Sequence, residues 1–421
     1  MALWYAQPMS VPSQAVPEAG TATSMQPAIV VTMLALLLGI QPVTTDLYLP
    51  ALPSIRNELG ATMAQAQLTL SALLLAFGCA QLVLGPLSDR FGRRPVLLVG
   101  LAAYVLAAVA CAAAPTMQLL IVARTLQGAA MGAAVMCARA IVRDLYAPAA
   151  GARVMSRALS GLGVIACLCA PLGSLLATWL GWRHALLVLA VYGAGTLALV
   201  ALRFVETVPR KNPRALHLGT LLPTWRGILR NRSFQAFTLL TCGSYGLLFT
   251  FLASSSFVFI QVLGLSKTAY GLVLLWTSVW YVAGTFLCRR WLARHGVVGS
   301  VARGGFLSLG GTTLMALLVL AGVHSPWALL LPMALSMLGH GVHQPCGQSG
   351  AVGPFPQAAG AASALNGFCM MVLAFCVGAV LGQVMTGTTL LPMVLGMWFF
   401  GAWIALVAWT LVQRHGQPAH G

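Results

Sequence analysis

Twelve stretches of about 20 largely apolar residues divide this chain, roughly 28–49, 65–86, 95–114, 117–138, 155–178, 183–203, 234–260, 268–288, 300–322, 326–347, 359–384 and 388–412. About 20 such residues are what a helix needs to cross hydrocarbon, where every backbone N–H and C=O must be satisfied within the segment. The charge content leaves no soluble alternative. Only 7% of residues are charged and 59% are hydrophobic, against about 25% charged in a soluble domain. Disorder is excluded as well, because it requires low hydrophobicity. The sequence therefore predicts an all-α membrane protein. Residues 1–27 are polar and rich in Pro and Ser, without the basic start and apolar core of a signal peptide. They read as a flexible N-terminal tail, and 413–421 as a C-terminal tail.

The formal net charge of +17 invites a nucleic-acid reading, but a basic binding domain presents its Lys and Arg as one solvated patch. Here they fall in short clusters between apolar runs, so no nucleic-acid partner is expected. With the N-terminus inside, 19 of the 23 basic residues lie in inside loops, and only Arg56, Arg183 and Lys267 lie outside. That bias sets both termini in the cytoplasm. The ten cysteines lie in or beside apolar runs with no paired framework, and read as small packing residues. The longest loop, 204–233, divides the spans into six-helix halves at 28–203 and 234–412. A faint echo relates the halves: Gly85, Arg90, Arg93 and Arg94 after the second span match Gly284, Arg289, Arg290 and Arg294 after the eighth. Parallel six-helix repeats are one plan of secondary transporters.

Charged residues inside spans are expensive and mark function by default. Asp46, in TTDLYLPALP, is the single acid predicted inside hydrocarbon, and it suits a group that loads and releases a proton. Arg124, in RTLQGAAMGAA, is the single basic residue inside a span, at roughly the same depth, which predicts an ion pair or a charge-coupled switch with Asp46. Gln41, Thr45 and Tyr48 share a face of the first helix, Gln127 lies one turn from Arg124, and these four are the first half's candidates for lining a substrate cavity. Gly128 and Gly132 form a GxxxG spacing for close packing.

The loop GPLSDRFGRRPVLL (Gly85 to Leu98) closely matches the cytoplasmic motif of the major facilitator superfamily. That resemblance implies a gate built from Gly85, Asp89, Arg90, Gly92, Arg93 and Arg94, latching the two halves in the outward-facing state. The run from Arg124 to Gly132 resembles the family's helix-four motif, linked to proton coupling. Gly163, Pro171 and Gly173 resemble its helix-five antiporter motif in part, since Ala170 precedes the proline and Ser174 stands where a glycine is usual. TDLYLPALP, ARAIVRDLY, RFVET, SSSFVFIQVLGLSKTAYG and AGAASALNGF resemble one branch, the bicyclomycin-resistance and chloramphenicol-efflux (Bcr/CflA) drug:proton antiporters. The resemblance implies twelve helices in two pseudo-symmetric bundles, in a bacterial inner membrane, exporting small amphiphilic drugs or metabolites against proton entry. A monomer in a lipid bilayer is expected, with small molecules and protons as partners and no cofactor.

The second half offers no intramembrane acid. Its cavity candidates are Tyr245, Trp276, Trp280, His340, Gln344 and Asn366, a lining suited to weakly polar compounds. His340, His343 and Cys346 recur at intervals of three along one helix, but one helix supplies three misaligned ligands where a closed zinc site needs four, so no metal is expected. Two other functions stand beside this one. A carrier of a specific metabolite, such as an amino acid, fits the incomplete helix-five motif. An integral membrane enzyme requires acid/base or metal constellations that six acids, none paired with a histidine, do not supply.

Overall fold

The computed structural model describes residues 25–146, 148–208, 211, 213 and 215–416. The proposed N-terminal tail lies almost wholly outside these residues, as do Arg210, Arg214 and 417–421. The first span begins as α1 (Pro27–Asp46) and stops where Pro50 and Pro53 remove two backbone donors. The chain continues through a 3₁₀ turn (Leu49–Ala51) into α2 (Leu52–Glu58). Thr62 and Gln65 form a reciprocal capping box that starts α3 (Met63–Phe91). Only Gly92 separates α3 from α4 (Arg93–Ala113). Its φ of 109° is a conformation glycine adopts without a Cβ penalty, so the chain reverses in one residue. The half is completed by α5 (Met117–Leu145), α6 (Pro148–Trp179) and α7 (Trp182–Arg203).

The long central loop carries a helix that the span pattern did not predict, α8 (Leu218–Arg230). It is too short and too basic to resemble a span. Asn231 then caps α9 (Arg232–Ser256), its side chain accepting from the Phe234 N–H at 3.0 Å. A π-helical stretch (Phe257–Val262) ends that span. The eighth and ninth spans are not joined by a loop. They form one 54-residue segment, α10 (Lys267–Leu320), broken at Gly296, where φ is 63°. The remaining helices are α11 (Pro326–Val352), α12 (Ala359–Val384), α13 (Leu391–Trp409) and the short α14 (Leu411–His415).

Ten segments are long and apolar enough to cross a membrane. Counting α10 as two crossings and adding the less apolar 27-residue α11 gives the expected twelve. The outer surface is that of a membrane protein: Val99, Leu106, Val191 and Leu202 are at least 71% exposed. The two halves meet along α3 with α12 and α6 with α10. Small residues bring these pairs together, with Gly78 against Met371, Gly378 against Ser71, Gly382 against Ala64, and Gly271 against Ser174.

Candidate functional site

Three polar clusters hold most of the residues singled out from the sequence. The first surrounds Asp46. Its Oδ1 accepts from Thr45 Oγ1 at 2.8 Å, and Thr45 also donates to the Gln41 carbonyl at 3.1 Å. Asp46 is partly exposed although it lies at the end of α1. The 3₁₀ turn that follows it, Leu49–Ala51, packs on α6 of its own half and on α9 and α10 of the other half. The carboxylate therefore sits where the halves meet.

The expected pairing of Asp46 with Arg124 is absent among the described residues. Thr44 and Tyr48 are four apart on one face of the first span, and Asp46 lies midway between them, turned about 200° from each. Arg124 addresses the Thr44/Tyr48 face. Its Nη2 donates to the Thr44 carbonyl at 3.1 Å, its Nη1 to Gln127 Oε1 at 2.8 Å, and its guanidinium lies 4.2 Å from the Tyr48 ring centroid. Thr44 Oγ1 and Tyr104 OH share a hydrogen bond of 2.6 Å beside it. Arg124, Gln127 and Tyr48 are all 0% exposed, so this side of the cluster is internal to the first half, and Tyr48 and Gln127, expected in the substrate cavity, are packed away from it. Tyr48 OH instead bonds Thr69 Oγ1 at 2.7 Å. Arg124 Nε and Gln127 Nε2 have no hydrogen-bond partner among the described residues. Gly128 and Gly132 bring α5 against Leu73 and Ala80 of α3 as their spacing predicts.

The second cluster faces the first from the other half. His340 Nδ1 lies 2.8 Å from Ser244 Oγ, with the Tyr281 ring 5.3 Å away. Gln344 Nε2 donates to the Thr241 carbonyl at 3.2 Å, and Thr241 Oγ1 donates to Asn366 Oδ1 at 2.8 Å. Tyr245 stacks on Phe249. Trp276 and Trp280 lie apart from this group. They pack edge to face with each other, and Trp276 donates to the Leu330 carbonyl at 3.0 Å. His343 turns away to the Val301 carbonyl and Ser308, and Cys346 to Cys288, 3.6 Å between sulfurs, so the three residues at metal-like spacing diverge.

The third cluster lies on the arginine-rich face. Arg93 pairs with Asp89 at 2.6 Å and with Asp144 at 3.0 Å. Its backbone N–H donates to Glu206 Oε1 at 2.9 Å, and the Arg94 N–H to Glu206 Oε2 at 3.1 Å. Glu206 thus supplies the cap that Gly92 cannot, with its negative charge at the positive end of α4. Partial burial works against this carboxylate, but backbone N–H groups of Arg93, Val208, Arg94 and Thr207 outweigh it and hold its pKa below the usual carboxylate range. Any Cβ at Gly92 would collide with Glu206 Oε2. Arg90 stays outside the network, exposed over the Phe91 ring, and Arg94 reaches the Ala201 carbonyl at 3.1 Å. Gly85 packs on Met136. Asp144 and Glu206 were not singled out as gate residues. Scarcity was the available signal: three of six acids converge on one arginine.

A family model, the Major Facilitator Superfamily, matches residues 34–379. The chain belongs to the major facilitator superfamily. Among its relatives, "Multidrug resistance protein D" of Escherichia coli (strain K12) is 30% identical over 390 residues, 92% of this chain and 97% of that protein. "Chloramphenicol resistance protein" of Pseudomonas aeruginosa is 30% identical, covering 80% of this chain and 77% of that one. The fold is shared with a D-xylose-proton symporter, with a TM-score of 0.70, 18% identity and coverage of 91% and 96%. It is therefore a multi-pass membrane protein of a transporter superfamily, with bacterial relatives.

In the helix-five region of this superfamily member, Gly173 is indispensable to packing, since a Cβ there would lie 2.2 Å from the Leu47 carbonyl at the break in the first span. Pro171 and Ser174 close on Gly271 of the other half, so a glycine lost from the motif is matched by one across the interface. Gly163 has nothing within 4 Å of a Cβ position.

Proposed function

We propose that this chain is a proton-coupled exporter of small amphiphilic compounds of the drug class, working by alternating access in a bacterial inner membrane. The observation that carries the proposal is the position of Asp46, a carboxylate within one span, without an ion-pair partner among the described residues, beside the turn that meets the other half. Relatives named for multidrug and chloramphenicol resistance support the substrate class. Proton binding there removes a charge from the boundary and lets one half rock against the other. Arg124 acts on the same helix through the Thr44 carbonyl and the Tyr48 ring, holding the break beside which Asp46 sits. The hydrogen-bonding groups of the second cluster, His340, Gln344 and Asn366, with Tyr245, form the facing wall of the substrate path. The gate residues Asp89 and Arg93 regulate closure on the arginine-rich side, fixed in place by Asp144 and Glu206.

Proteoliposomes test this directly. Chloramphenicol is expected to move against an imposed pH gradient, and Asp46→Asn to lose gradient-driven movement at least tenfold while retaining exchange of labelled for unlabelled compound. Undiminished gradient-driven transport by Asp46→Asn would remove that residue from the coupling step.

A further inference from the structure

The helix α8 has two working faces. Toward the protein it presents Ile228, 2% exposed, and the half-buried Trp225. Thr220, Leu221, Thr224 and Trp225 wall a cavity of about 420 Å³ that also contains Asp89, Arg93 and Arg143. Away from the protein, Leu222 is 55% exposed and Leu229 is 44% exposed. On an ideal helix these two leucines lie within about 20° of each other, and Arg226 and Arg230 follow at about 40° and 80° on the side away from Ile228. An apolar stripe is thus flanked by a basic one.

Position decides what covers this stripe. Arg230 is separated only by Asn231 from the start of the membrane-spanning α9. The C-terminal end of α8 is therefore at the membrane surface. Arg226, Arg230 and Arg232 are exposed, and none has a carboxylate within ion-pair distance among the described residues. Three unneutralised guanidinium groups beside an apolar stripe complement a surface of phosphate headgroups over acyl chains.

We propose that α8 is a docking helix for the anionic lipid surface of the inner leaflet. Arg226, Arg230 and Arg232 take lipid phosphates, and Leu222 and Leu229 enter the acyl boundary. Because the opposite face of α8 walls the cavity holding Asp89 and Arg93, the lipid composition under α8 acts on the same side of the molecule as the gate.

The test uses the full chain in nanodiscs of phosphatidylcholine with one-third phosphatidylglycerol, reading by mass spectrometry the phosphatidylglycerol retained through partial delipidation. Arg230→Gln is expected to weaken retention about five-fold, the effect of one basic residue near an anionic surface. The triple Arg226→Gln, Arg230→Gln, Arg232→Gln variant should weaken it more than tenfold, with the difference shrinking in high salt. Leu222→Gln with Leu229→Gln should also reduce retention. All these side chains are exposed, and an unchanged melting temperature in neutral detergent verifies folding. Equal retention by wild type and the triple variant overturns the proposal. So does displacement of the lipid by an equal concentration of soluble glycerol phosphate, which would mark a phosphate pocket and not a membrane surface.

Discussion

At the scale of single residues, the informative pair is Asp46 and Arg124, which share a helix break without touching. Arg124 spends its donors on a carbonyl, an amide oxygen and a ring face, a set that needs a planar fork. Arg124→Lys is expected to cost about 2 kcal/mol, because an ammonium cannot satisfy both acceptors and stack as well. A fall in melting temperature larger than that of Thr125→Ala checks this; equal melting would show that the charge alone suffices. The candidate residues were legible because ionisable groups inside hydrocarbon stand out against an apolar background. Their separation was not legible. It depends on which way each side chain leaves the first span, and Pro42, Pro50 and Pro53 disturb the arithmetic of that helix.

At the scale of elements, two substitutions probe how helices are held. Gly173→Ala drives a methyl group into the Leu47 backbone carbonyl, which cannot rotate aside, so α6 and the first span must part. The expected loss is about 2 kcal/mol, read as a lower melting temperature, whereas Gly163→Ala, with open space around it, should be silent. Glu206→Gln weakens the cap of α4. Since the folded-state pKa of Glu206 is lowered, its contribution is fully present above the ordinary glutamate value of about 4.3 and is lost as pH falls through the lower folded-state value. Melting temperature measured from neutral to acid pH should therefore fall more steeply for wild type than for Glu206→Gln. Span number and order could be read from apolar length. The helix α8 could not, because its apolar residues serve two different surfaces and never form a continuous run. The tight connection at Gly296 was equally hidden, since Arg289, Arg290 and Arg294 between the eighth and ninth spans read as a loop.

At the scale of the whole molecule, the arginine-poor face is sealed by polar contacts between halves. Gln67 Nε2 donates to the Ala253 carbonyl at 2.6 Å, Arg56 lies over Phe257, and Lys267 Nζ reaches the Ala177 carbonyl at 3.4 Å. Two of these three contacts end on backbone carbonyls, which a sequence does not advertise. Gln67→Ala combined with Lys267→Ala is expected to shift the population toward the state open on that face. Longer spin-label distances between the outer ends of α6 and α10 would record the shift, and unchanged distances would assign the seal to apolar packing alone. The Ala253 carbonyl is available because the Phe257 N–H bonds Ser254 at the start of the π-helical stretch. Such a stretch is an α-helix with one residue too many. Removing one amino acid between Phe257 and Val262 should therefore restore regular winding and return that carbonyl to its own helix. The strength with which this transporter stays shut on one side is thus open to change by insertion or deletion, a route that a survey of point substitutions would pass over.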